Sequence, residues 1–187
     1  GIAGNRSSFG LDFTETNFLG WGREVSVEYE TDNERSVWTY SLYDPNILGT
    51  RWRARVRHEE STHGPSDLVR LQYPFYSRAT PRACGVEWRR TRDQDYLYSE
   101  SEEQVWGRHD VEWWRAWGGL RLAGNGGVTR RLLAGWEARE DRFSDWTGDV
   151  PYPTPADREV SGPRVGYQRL AVAFAATGVA GASAVAG

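Results

Sequence analysis

Apolar and polar residues alternate along most of this chain. Val25, Val27 and Tyr29 fall on one side of a period of two, with Glu24, Ser26, Glu28 and Glu30 on the other. Trp52, Ala54 and Val56 oppose Arg51, Arg53, Arg55 and Arg57 in the same way. Phe9, Leu11 and Phe13 alternate with Gly10, Asp12 and Thr14, and Trp38, Tyr40 and Leu42 with Thr39, Ser41 and Tyr43. Farther along, Leu132, Ala134, Trp136 and Ala138 alternate with Leu133, Gly135, Glu137 and Arg139. Side chains of a strand point to opposite faces in turn, so a period of two predicts strands. No segment carries the i, i+3, i+4, i+7 stripe of an amphipathic helix. The fold class expected is all-β, with nine strands near 8–16, 23–31, 35–44, 50–59, 67–75, 82–97, 105–122, 128–143 and 160–174.

The segments between these strands alternate in character. Those at 17–22, 44–49, 76–81 and 124–127 are compact and rich in Gly, Pro and Asn, which tight turns favour. Those at 31–35, 60–66, 94–104 and 144–159 are polar and read as progressively longer loops. Short turns at one end and longer loops at the other predict an antiparallel up-and-down transmembrane β-barrel, here about nine strands of a larger one. In that reading Val25, Val27, Tyr29, Trp52, Val56 and Trp136 face lipid. Glu24, Glu28, Glu30, Arg51, Arg53, Arg55 and Arg57 face the lumen. Trp21, Tyr40, Tyr43, Trp52, Tyr73, Phe75, Phe143 and Trp146 lie near predicted strand ends, where amphipathic rings form a girdle at the membrane surface. The alternative is a soluble Trp-rich β-sandwich that binds a ligand through its aromatic residues.

Composition narrows the choice. Ten Trp, nine Tyr and six Phe in 187 residues exclude global disorder. A net charge of −3 argues against a general nucleic-acid binder. Cys84 is the single cysteine, which excludes an internal disulfide framework. The three histidines, His58, His63 and His109, show no metal-ligand spacing, and no nucleophile elbow, Walker loop or dinucleotide fingerprint occurs. The acidic stretches 93–95 and 100–103 lack EF-hand spacing and read as a solvated loop rather than a Ca²⁺ site. Glu59 and Glu60 are neighbours in a strand and point to opposite faces, so they cannot act as a joint acid and base. No enzyme activity and no cofactor are expected. Residues 1–174 form the barrel domain in this reading, and 175–187 an Ala/Gly-rich tail that carries no functional assignment.

Three segments also share a family pattern. The stretch FGLDFTETNFLGWG at 9–22, with its turn residues Asn17, Phe18, Leu19, Gly20 and Gly22, resembles an early strand and turn of the BamA/TamA family of outer-membrane barrels. The stretch YSLYDPNILG at 40–49, with Asp44, Pro45 and Gly49, resembles the family's next turn, and LQYPFY at 71–76 its third hairpin. The resemblance covers about residues 8 to 170. It implies a bacterial outer-membrane location and a role in inserting or translocating proteins. It also implies outer-membrane lipid, further β-strands and client outer-membrane proteins as partners. A structural or accessory barrel subunit without transport activity is the alternative within the same fold. Family members carry periplasmic POTRA domains and a larger barrel with a lumenal Arg-Gly-aromatic motif; Gly162, Pro163 and Arg164 do not substitute for that motif.

Overall fold

The computed structural model of the chain describes residues 8–32, 35–99, 102–125, 128–148 and 153–171. It is all-β, and its strands are β1 (Phe9–Phe18), β2 (Arg23–Thr31), β3 (Ser36–Asp44), β4 (Arg53–Ser61), β5 (Gly64–Tyr73), β6 (Arg82–Ser99), β7 (Glu102–Asn125), β8 (Val128–Gly148) and β9 (Arg158–Ala171). All nine form one antiparallel sheet in sequential order, β1 to β9. Each strand pairs with its chain neighbours, so β1 and β9 are the two edges. One open meander of this kind is not the pair of packed sheets that a sandwich requires.

Several predicted loops are strand. The polar segment 60–66 closes in a two-residue turn at Thr62 and His63, because β4 and β5 pair down to Ser61 opposite Gly64. Gly64 sits at φ +139, and a Cβ there would lie 2.2 Å from the Arg92 carbonyl oxygen, so only glycine fits. The segment 94–104 is also mostly ladder: β6 and β7 stay paired to Ser99 opposite Glu102. The segment 144–159 loses its first five residues to β8, which runs to Gly148, while β9 starts at Arg158. Backbone pairing continues here although the side chains have lost their apolar alternation, since the ladder needs only N–H and C=O groups. At the other boundary β4 begins at Arg53, so Arg51 lies in the preceding turn and not on a strand face. The Ala/Gly tail at 175–187, and 172–174 of the last predicted strand, lie outside the described residues.

The sheet has almost no interior. Ala83 is the one buried apolar residue among those described. The connection after β5 folds back over one end of the sheet: Phe75 packs against Gly119, and the Arg131 guanidinium lies 4.1 Å from the Phe75 ring and donates to the Ser77 carbonyl at 2.9 Å.

Candidate functional site

Cross-strand register defines two faces. On the first, Val25, Leu42, Val56, Val69, Trp88, Trp114 and Ala138 lie in one row across β2 to β8. Ala54, Leu71, Val86, Ala116, Trp136 and Pro163 form the next row. Val27, Tyr29 and the β1 residues Leu11 and Phe13 share this face. It is open: Leu11 is 61% exposed, Trp136 53% and Val165 78%. The other exposed large apolar side chains share this face, except Phe18 at the end of β1, Leu19, Trp21 and Leu48 in turns, Leu122 at a bulge, and Val160. Trp52 adjoins it at the start of β4, edge-on to Tyr73 at 5.8 Å.

Charged residues border this apolar belt, and the borders run obliquely to the rows. On β3 the lower border is Asp44, whose row runs through Ala54 and Leu71 to Val86. On β6 the border is Arg82, four residues farther down the strand than Val86. On β8 it is Arg130, six residues below Trp136 of that row. The upper aromatic border slants alike. Trp38 on β3 stands four residues above Leu42, while Leu42 shares its row with the border residue Trp88 on β6. The belt therefore drifts about 1.2 to 1.3 residues per strand.

The upper border is built from indoles and ions. The Glu112 carboxylate accepts from Trp88 Nε1 at 3.0 Å and from Trp114 Nε1 at 2.9 Å. Those two hydrogen bonds, more than nearby arginines, hold the Glu112 carboxyl below its ordinary range. Beyond the rings Arg90 donates to Asp110 at 3.1 Å, which depresses the Asp110 carboxyl. Arg142 forks onto Glu140 at 2.6 and 2.8 Å, and His58 meets Asp67 at 2.7 Å. Trp88 and Trp114 are border residues that the alternation contained but strand-end position did not single out. Their signal is parity: each has a charge two residues away on its own face, Arg90 after Trp88 and Glu112 before Trp114. Conversely Tyr43 and Phe143 do not join the girdle. Both stand on the charged face, Tyr43 under Arg55 at 4.9 Å and Phe143 stacked on His109 at 4.3 Å.

The second face carries Glu24, Glu28 and Glu30 on β2 and Arg53, Arg55 and Arg57 on β4. These two rows do not meet, because Thr39, Ser41 and Tyr43 of β3 stand between them. Arg57 pairs instead with Glu59 on its own strand. Farther across, Arg70 donates to Glu87 at 2.7 Å and Arg164 to Glu137 at 3.2 Å. Asp141, 1% exposed, gathers Arg139 at 2.7 Å and His109 at 3.0 Å. Trp117 crosses this face between Gly85 and Gly135, where a Cβ would fall 2.8 Å from its Nε1 and 3.0 Å from its Cβ.

The family-like turns are braced by their own residues. Asn17 accepts from Gly20 N–H at its carbonyl and from Gly22 N–H at its side chain, both at 2.8 Å. This supports positive φ at Leu19, Gly20 and Gly22, with Phe18 closing the strand before them. In the second turn Asp44 accepts from Asn46 N–H at 3.0 Å across Pro45, and the turn ends at Gly49 with φ +73. Arg23 donates to Asp44 at 2.9 Å and so ties the two turns together.

Fold and faces define an all-β protein built as one open antiparallel meander, apolar on one side and charged on the other. Comparison of the chain with protein families, with curated proteins and with solved structures finds no match.

Proposed function

We propose that this chain is wall of an outer-membrane β-barrel of the BamA/TamA type, serving insertion or translocation of proteins. The observation that carries the membrane reading is the oblique apolar belt. In a barrel whose strands tilt by 35–45°, neighbours about 4.8 Å apart keep the same depth only if the belt slips about 4 Å, or roughly 1.2 residues, along each successive strand. The belt on this sheet slips by that amount. Closed barrels of every kind stagger their strands, and what favours lipid here is that the slanting band is both apolar and exposed. On β8 the belt between Arg130 and Glu140 spans ten residues, about 33 Å along the strand and about 25 Å in depth at such a tilt, the height of a membrane barrel's apolar band.

The charged face then lines the lumen, and the long upper ends of β6, β7 and β8 stand clear of the lipid. Trp88 and Trp114 turn their indole N–H groups toward the aqueous side, as interfacial tryptophans do. The open edges bear on function. Unpaired N–H and C=O groups cost several kcal/mol each in lipid, so β1 and β9 take further strands, from the same polypeptide or a partner chain. An edge that accepts strands is what an insertion factor needs.

The test is depth labelling. With Cys84 replaced by serine, an environment-sensitive dye is attached at Val56, Ala116 or Ala134, and at Arg57, Glu87 or Arg115, in chain reconstituted in vesicles. The first set is quenched from within the bilayer and the second by an aqueous quencher. Equal quenching of both sets from water overturns the membrane reading. A photo-crosslinker at Leu11 or Thr14 then separates the two roles. Adducts with newly made outer-membrane proteins support insertion, and adducts with one fixed partner alone favour the accessory subunit.

A further inference from the structure

We propose that the charged face binds a phosphate-class anion between Arg55 and Arg70. One row across this face reads Glu24, Tyr43, Arg55, Arg70, Glu87, Arg115, Glu137. From Arg70 onward every cation faces an acid in the next strand. Arg55 and Arg70 break the rule, two guanidiniums directly opposite each other on β4 and β5. Like charges placed so are unfavourable in a sheet.

Among the described residues only Arg70 of the pair meets an acid, and Arg55 meets none. Tyr43 stands between Glu24 and Arg55, and the two make no ion pair among the described residues. Glu87, which Arg70 meets at 2.7 Å, is shared with Arg89 at 3.7 Å. Neither Arg53 nor Arg55 meets a carboxylate among the described residues; Arg55 rests on Tyr43 and Arg53 on Tyr76, each within 5 Å of the ring centre. The Arg53 Nε is buried without any acceptor. A buried donor left unmade costs stability, so this group calls for an oxygen that the fold does not supply.

The side chains around that gap form a receptor. Arg53, Arg55, Arg70, Gln72 and Tyr43 line a recess of about 140 Å³. Guanidinium forks match oxyanions in geometry and stay charged throughout the accessible pH range. Three arginines and an amide line the recess with more donors than a two-oxygen carboxylate can use, which favours a tetrahedral, four-oxygen anion. Bound there, it neutralises the like-charge pair. Inorganic phosphate and phosphate monoesters share this chemistry.

The experiment uses the full chain folded in detergent micelles, titrated with inorganic phosphate against chloride at matched ionic strength, and read by ³¹P line width and thermal unfolding. Saturable binding is expected, weaker by at least about tenfold in R55Q, as the loss of a charge-assisted hydrogen bond implies. R142Q, on the other face, stays within about twofold of wild type. Phosphate raises the unfolding temperature of wild type but not of R55Q, whereas without phosphate R55Q is at least as stable as wild type. A purely structural arginine would not give that crossing pattern. R55K keeps the charge without the fork and serves if R55Q does not fold; its binding falls between the two. A response that chloride reproduces means screening only and overturns the site, as does equal loss in R142Q or binding of an acidic peptide in place of phosphate. The site rests on one face of the sheet and not on the membrane reading, since dye depth and phosphate binding fail independently.

Discussion

Glu112 satisfies two indoles with one carboxylate, and Asp141 serves a similar purpose on the opposite face. Asp141 lies above the belt, where hydrogen bonds from Arg139, and secondarily from His109, pull its carboxyl down to about 2. A carboxyl depressed in the folded state stabilises above its unfolded pKa, near 3.8, and loses that contribution as pH falls through the folded value. Unfolding measured against pH should therefore show up to about 2 kcal/mol disappearing between pH 4 and pH 2, a loss absent in Asp141→Asn. A D141N variant with unchanged acid sensitivity would assign that loss elsewhere. Lipid contact is a residue-scale matter too. Val27 and Glu28 are neighbours on opposite faces, so Val27→Arg should cost about 2–4 kcal/mol in a bilayer while Glu28→Arg costs much less. The reverse order in refolding titrations would exchange the two faces.

At the level of elements, the strands were legible wherever their two faces differ. Alternation around Val25, Val56 and Trp136 placed β2, β4 and β8 with small errors at their ends. It ran out between 97 and 105, where polar residues dominate the sequence. A strand wetted on both sides leaves no period in hydrophobicity, and 94–104 therefore reads as loop although β6 and β7 remain paired. These paired ends extend past the apolar belt, and that sets a topology test. Cysteines placed at Asp93 and Asp145 should react with a membrane-impermeant reagent on intact cells, and one at Gly20 only after the outer membrane is permeabilised. Labelling at Gly20 alone would invert the orientation.

For the whole molecule the telling feature is a sheet with two open edges and, among the described residues, one buried apolar residue. Stability in water normally comes from apolar area withdrawn from solvent, and here almost none is withdrawn. The chain is accordingly expected to aggregate without detergent or lipid and to show cooperative unfolding only in their presence. Cysteine pairs that probe the edges, at Thr14 on β1 and at Arg164 on β9 with Cys84 removed, should crosslink to further strands. A folded monomer in detergent whose two edges crosslink only to each other would show a closed nine-strand barrel instead.

What the sequence by itself determined is the class of the fold and the identity of the two faces, because side-chain direction in a strand follows from chain geometry alone. It also contained the turns: Asn17 with Gly20 and Gly22, and Asp44 with Gly49, act through contacts within a few residues. Register was beyond it, since pairing depends on residues far apart in the chain. Only the tertiary structure decided that Arg55 faces Arg70, that Glu112 lies within reach of both Trp88 and Trp114, and that the apolar belt slants against its rows. Each of these compares positions on different strands, and a one-residue slip between strands would abolish all three.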